Sequence, residues 1–208
     1  MTITGSFGGR YALRVPARGR STGLEHCCGG EGEVLFADQV GVRSDRVTGR
    51  TWGAKGTTPV VRRTGNRFSV NAMSAISTKG RMHFMVFTES FDAKVVCRFL
   101  DRLVGHFDRK VHLIVDRHSA HRSKTVRTWL ADHKDVIGLH FLPSYSPEPN
   151  PDELVNADLK RSLPHAHRAR SQAELAADTR RFFHRRQRRP HIVRGHFGGR
   201  HVRYVLDE

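Results

Sequence analysis

The sequence predicts an α/β fold, a mixed five-stranded sheet flanked by helices. Three observations predict it. Short apolar runs of strand character fill the first half, and later ones alternate with stretches whose apolar residues recur about every four positions. The order reads three strands, helix, strand, helix, strand, helix, helix, an antiparallel start followed by crossovers, which default to the right-handed sense. Two of the apolar runs, Val34–Asp38 and Val111–Asp116, stop at a carboxylate.

Residues 1–31 are glycine-rich, show no sustained period and read as an unstructured or atypical leader. Val34-Leu35-Phe36-Ala37 is an apolar run of buried-strand type ending at Asp38. Residues 45–66, with several Gly and Thr around Trp52, read as an irregular hairpin or loop. Phe68, Val70, Ala72 and Ile76 alternate as a strand does, interrupted by Met73. Thr78-Lys79-Gly80 makes a hairpin turn into the run Met82–Phe87. The period then changes. Val95/Val96, Phe99/Leu100, Leu103/Val104 and Phe107 form one face of an amphipathic helix with Ser90 as its cap. Val111–Asp116 is the next strand. Ser123 caps a short helix that buries Val126, Trp129 and Leu130, and Val136–Leu142 is the fifth strand. Four prolines between 143 and 151 punctuate a rigid loop. Asn150-Pro151 supplies a cap and a first-position proline for a helix to about Arg161. Ser171 with Glu174 is a capping box for a last helix to about Arg188, after which an arginine-rich tail is expected to fray.

Composition narrows the function. The chain has 208 residues, 38% of them hydrophobic, enough for a core, and a formal charge of +16. Such a charge calls for a polyanionic partner. It is unevenly spread: residues 161–208 hold twelve arginines against four carboxylates, whereas residues 101–160 hold nine bases and nine acids. A basic shell around an acidic centre suits an enzyme that gathers phosphates outside and divalent cations inside; an ordinary basic tail explains the composition equally well. No apolar run reaches the ~18 residues of a membrane span, and the N-terminus lacks a secretory apolar segment. Cys27, Cys28 and Cys97 make neither a disulfide framework nor a zinc spacing, so a reducing cytoplasm is expected.

The candidate chemistry is carboxylate chemistry. If the strands ending at Asp38 and Asp116 are parallel neighbours, their ends lie about 4.8 Å apart. Two carboxylates that close repel unless a cation joins them. Glu153, on the first turn of the helix after the proline loop, adds a third, and Asp152 competes with it for the role. Three carboxylates suffice for two Mg²⁺ ions about 3.5–4 Å apart, the geometry for in-line attack on a phosphodiester. Each residue also has an ordinary reading: a strand terminator for Asp38, a helix-capping acid for Glu153. His118 and His121 follow Asp116 closely; a zinc site wants a further ligand, so they read as loop or phosphate-contacting histidines. Trp52 reads as a hydrophobic plug or a base-stacking residue.

Four segments carry a resemblance: LFADQVGVRSD, GRTWGAKGTTPVV, LIVDRHSAHRSKTVRTWL and FLPSYSPEPNPDELVNADLK. Over residues 33–163 the chain resembles the catalytic domain of bacterial insertion-sequence transposases, family six-thirty, in the mariner-like DDE superfamily. The resemblance implies a ribonuclease H-like fold over residues 32–165, with residues 166–208 as a basic C-terminal helix and tail. It implies two Mg²⁺ (or Mn²⁺) ions on a triad of Asp38, Asp116 and Glu153. It implies hydrolytic cleavage at transposon ends, then attack of the freed 3′-hydroxyl on target DNA, with double-stranded DNA as partner and a homodimer as the active complex. The sequence departs from the family at Gln39, Arg117 and Pro149, where relatives show glutamate, asparagine and leucine. Family members also carry N-terminal helix-turn-helix modules; residues 1–32 show no pair of apolar-periodic helices, so a catalytic half is expected.

DNA contact is expected from Arg117, His121, Arg122, Lys124, Lys160 and Arg161 around the triad, and from Arg180, Arg181, Arg185 and Arg186 on the last helix. Phosphate contacts position DNA without reading it, so weak sequence preference follows. Two other functions fit the residues: a stand-alone ribonuclease H-like nuclease, and a non-catalytic basic DNA-binding remnant. The protein is expected in the bacterial cytoplasm, on the nucleoid.

Overall fold

The computed structural model describes residues 3–7, 9–13, 32–45, 55–56, 67–142, 150–163, 169–199 and 202. Trp52, Cys27, Cys28 and the proline loop at 143–149 lie outside them. Near the N-terminus, where the sequence shows no period, β1 (Ile3–Phe7) and β2 (Gly9–Leu13) pair antiparallel.

The main sheet is mixed, as expected, and holds β3 (Glu33–Arg43), β4 (Ser69–Ile76), β5 (Met82–Phe87), β6 (Val111–Val115) and β7 (Ile137–Phe141). Its spatial order is β5-β4-β3-β6-β7. The first three strands are an antiparallel meander, and β6 and β7 join β3 in parallel. Helices α1 (Ala93–Val104) and α2 (Lys124–Asp132) make the two crossovers. Helices α3 (Pro151–Ser162), α4 (Gln172–Gln187) and the short α5 (Pro190–Gly195) follow.

Strand alternation sorts the core into two layers. Leu35, Ala37, Met73, Met85, Leu113 and Val115 pack with Val95, Val96, Phe99, Leu100 and Leu103 of α1 and Val126 of α2. Phe36, Val40, Ala72, Ile76 and Ile114 pack on the other face with Val155 and Leu159 of α3, Leu175, Phe182 and Phe183 of α4, and Val193 and Phe197 beyond it.

Several local expectations are refined. Asp38 does not end its strand: β3 runs on to Arg43 because β4 pairs with it over that length, and only the pairing with β6 stops near Asp38. The cap of α1 is Asp92, not Ser90; its carboxylate accepts the Val95 N–H at 2.9 Å. In α2 only Val126 is fully buried, with Trp129 and Leu130 half-buried. Ser123, Asn150 and Ser171 cap their helices as expected. Residues 189–199 do not fray. Pro190 opens α5, a 3₁₀ turn follows at His196–Gly198, and Val193 and Phe197 are fully buried, Phe197 edge-on to Phe36 with ring centres 5.8 Å apart. Arginines hide the apolar i, i+4 pair that anchors this segment. Gly80, at φ +83°, closes the β4–β5 turn under Pro190, where a Cβ would meet the Pro190 carbonyl oxygen at 2.6 Å.

Candidate active site

The parallel register matches Phe36 with Ile114. Asp38 and Asp116 each lie two residues further along, so both carboxylates leave the same end of adjacent strands, on the face covered by α3. Helix α3 is fastened there by its own polar residues. Asn150 Nδ2 donates to the Ala37 carbonyl at 3.1 Å, and its Oδ1 accepts the Asp152 N–H at 3.1 Å. Asp152 Oδ2 accepts the Asp38 N–H at 2.9 Å and the Ser74 hydroxyl at 2.8 Å. Asn156 Nδ2 donates to Asp38 Oδ2 at 2.8 Å. These bonds draw the first turn of α3, and Glu153 with it, onto the ends of β3 and β6.

The two aspartates end in different states. Asp38 is half-buried and both its oxygens are engaged, Oδ1 by the Gln39 N–H at 2.8 Å and Oδ2 by Asn156. Burial, with the Asp116 charge adding to it, pushes its carboxyl up to about 6 against the pull of those bonds. Asp116 is exposed, and His121 holds its carboxyl below the usual range. His121 Nδ1 lies 3.0 Å from Asp116 Oδ1 and 3.2 Å from the Asp116 carbonyl. Both partners only accept, so Nδ1 carries the hydrogen. The His118 N–H also donates to Asp116 Oδ1, at 3.2 Å. Glu153 is exposed at the mouth, raised by burial and then by the charges of Asp38 and Asp116. The three carboxylates read from the sequence are therefore brought together.

Asp152 takes a different role from Glu153. It is completely buried, and burial with the Asp38 charge raises its carboxyl well above the ordinary range. Asn156 is the site residue that sequence reasoning passed over, and Asp152 was weighed only as a rival of Glu153. The signal was present: Asp152, Val155, Asn156 and Leu159 form one buried stripe at i, i+3, i+4, i+7, with two polar members in apolar positions. Gln39, by contrast, points to the opposite face, where its Nε2 donates to Asn71 Oδ1 at 3.1 Å.

Among the described residues no three His, Cys, Asp or Glu side chains are drawn tightly enough to form a ready-made metal cage. The donor set nonetheless fits hard divalent cations. Carboxylate oxygens converge, burial and then like charges raise Asp38 and Glu153, and three buried polar atoms around them have no partner: Asp152 Oδ1, Asn156 Oδ1 and His121 Nε2.

The basic residues divide. Arg117, Arg122 and Lys124 are exposed between the end of β6 and the start of α2, and Lys160 and Arg161 lie in the last turn of α3. His121 is buried, its ring turned to Asp116 rather than to solvent. On α4, Arg180 and Arg185 are exposed, and Arg181 is paired with Asp178 at 2.6 Å. Arg186 makes a two-pronged, mostly buried bond to Asp158, at 2.6 and 3.0 Å, and lies 4.8 Å from the Phe182 ring centre.

No curated protein sequence matches the chain. Among solved structures, its fold is similar to the mariner Mos1 paired-end complex with Mn, at a TM-score of 0.55 and 15% identity over 83% of this chain and 56% of that one. It is similar to the Mos1 strand transfer complex at a TM-score of 0.52 and 16% identity, over 80% of this chain and 55% of that one. The simian T-cell lymphotropic virus intasome, in complex with PP2A regulatory subunit B56 gamma, gives a TM-score of 0.50 and 12% identity, over 71% and 47%. The chain thus spans about half the length of those chains. The shared architecture is the ribonuclease H-like fold. Residues 33–176 match the DDE superfamily endonuclease family, a span that takes in all three converging carboxylates and both aspartate-bearing strands, and the chain belongs to that family.

Proposed function

We propose that the chain is the catalytic domain of a bacterial insertion-sequence transposase of family six-thirty, cutting DNA at element ends and joining the freed 3′-hydroxyl to target DNA. The observation that carries this reading is the meeting of Asp38, Asp116 and Glu153 at one end of the β3–β6 pair in a DDE-family endonuclease domain. Two Mg²⁺ or Mn²⁺ ions held by these carboxylates would supply Lewis acidity at the scissile phosphate and its leaving oxygen. The protein's own part is positioning. Asn156 and the Gln39 N–H fix the rotamer of Asp38, and Asp152 holds the backbone beneath it. His121 and the His118 N–H hold one oxygen of Asp116 and leave Oδ2 for a ligand. Glu153, at the mouth, completes the set. Arg117, Arg122, Lys124, Lys160, Arg161 and, on α4, Arg180 and Arg185 bind the DNA backbone by charge, without reading sequence. The active assembly is a homodimer on the bacterial nucleoid.

Nicking of supercoiled plasmid in Mg²⁺, Mn²⁺ or EDTA, beside Asp116→Ala, tests the reading. Nicking that needs both metal and Asp116 supports it. Equal DNA binding with no nicking by either protein would leave a non-catalytic DNA-binding remnant.

A further inference from the structure

Among the described residues, most of the basic side chains near carboxylates are neutralised in pairs: Arg43 by Asp45, Lys79 by Glu33, Arg98 by Glu89, Arg181 by Asp178 and Arg186 by Asp158. Two arginines that are not so paired meet at the open edge of the sheet. Among the described residues, strand β5 has a neighbour on one side only. Along its free side runs a cavity of about 380 Å³ between α1 and α4. Arg102 enters from α1 on one face of the sheet, and Arg180 from α4 on the other. His83, His106 and His184 line the same cavity, and among the described residues no carboxylate does.

The arrangement is built rather than incidental. The His83 and His106 rings lie 4.9 Å apart, and His83 also packs on Phe107 at 5.0 Å. Phe84 stacks on Phe183 and meets the edge of His184, both at 4.9 Å. Gln187 Nε2 covers the Met82 carbonyl at 2.9 Å, which removes one acceptor from the exposed edge. Burial, with the neighbouring His106 and Arg81 adding to it, pushes His83 down to about 4. Glu33, the carboxylate that acts on His83, is bonded to Lys79 at 2.8 Å. Like charges gathered with no counter-charge are unfavourable until an anion arrives, and an exposed strand edge adds backbone N–H donors.

The ligand follows from the position. Asp38 pairs with Ser74, and Ser74 pairs with Phe84. The groove is thus level with the carboxylate centre and two strand spacings away, about 9.6 Å. That is the rise of about three base pairs of B-DNA. We infer that the β5 edge groove, through Arg102 and Arg180, holds backbone phosphates of the DNA whose reaction the carboxylate centre performs. The choice of DNA over a small free anion rests on the proposed function.

The test is binding without catalysis. Anisotropy of a labelled 20-base-pair duplex is measured in EDTA from 50 to 250 mM NaCl for the wild type, Arg102→Ala/Arg180→Ala and Arg181→Ala. Removing one arginine–phosphate interaction lowers the slope of log K against log salt by about 0.9, so the double variant should reduce it by about 1.8, and Arg181→Ala by under half of that. Circular dichroism establishes that the exposed substitutions leave the fold intact. A slope equal to wild type, or a reduction no larger than that of Arg181→Ala, overturns the inference. Calorimetry with inorganic pyrophosphate is the second arm. Pyrophosphate binding that the double variant abolishes, beside an unchanged DNA slope, would make the groove a small-anion site and overturn the DNA assignment. Because no metal is present, a wild type that nicks nothing but shows the slope difference would sink the nuclease reading and leave the groove standing.

Discussion

Two regions of one sheet, level with each other along the Asp38–Ser74–Phe84 register, have opposite chemistry. At the junction of β3, β6 and α3, four carboxylates converge, with His121 and Asn156 bonded to them. At the free edge of β5, two arginines and three histidines converge with no carboxylate among them. The first region gathers negative charge, which suits cations, and the second positive charge, which suits anions. The difference lies in how each is held. The acid centre is fixed by directional bonds of 2.8–3.1 Å from a helix N-terminus to a central strand. The edge groove is set by ring packing between helices on opposite faces. A substitution in the centre should therefore act on chemistry, with a cost to the fold only where the residue is buried, and one in the groove on binding alone.

The largest expected effect breaks the centre outright. Asp116→Ala should lower metal-dependent plasmid nicking on the order of 10³-fold with the fold retained, because Asp116 is exposed and bears little packing. Loss of a single positioning bond costs less: Asn156→Ala, measured in the same assay, should cost about 10–100-fold. Helix α4 sharpens the contrast within one element. Arg186→Ala removes a mostly buried pair with Asp158 and should cost about 2 kcal/mol in urea unfolding. Its effect on the salt slope of DNA binding should be small, whereas Arg180→Ala should do the reverse.

The smallest effect is a pH effect. An acid held at about 6 when folded, against 3.8 otherwise, binds its proton more tightly in the folded state. The penalty for ionised Asp38 is absent below pH 3.8, grows between there and about 6, and is complete above. In EDTA, Asp38→Asn should therefore raise stability relative to wild type by about 1–2 kcal/mol at pH 7.5 and by little at pH 4, read by thermal melting. Mg²⁺ should shrink the difference at pH 7.5 by stabilising the wild type.

Much of this was legible in the sequence because it is written in local pattern. The Val34–Ala37 and Val111–Val115 runs, the change of period at Val95 and the caps at Ser123, Asn150 and Ser171 are each decided within one element. The approach of Asp38 to Asp116 was legible because parallel pairing of β3 and β6 sets the two aspartates level on adjacent strands. What was missed depends on contacts across the fold. Asp152 reads as a rival of Glu153 for the third carboxylate role until the chain brings the Asp38 N–H and Ser74 to it. Val193 and Phe197 sit in a run of charge whose burial appears only once α5 closes over Gly80 and Phe36. The edge groove joins β5, α1 and α4, and no window of sequence contains all three.

The central claim is that the acid centre is a two-cation site, and Mn²⁺ calorimetry at pH 7.5 tests it most directly, with wild type beside Asp116→Ala and Arg102→Ala/Arg180→Ala. The account predicts about two ions per wild-type chain, loss of that binding in Asp116→Ala, and an unchanged isotherm for the groove variant. Equal Mn²⁺ binding by wild type and Asp116→Ala would contradict it.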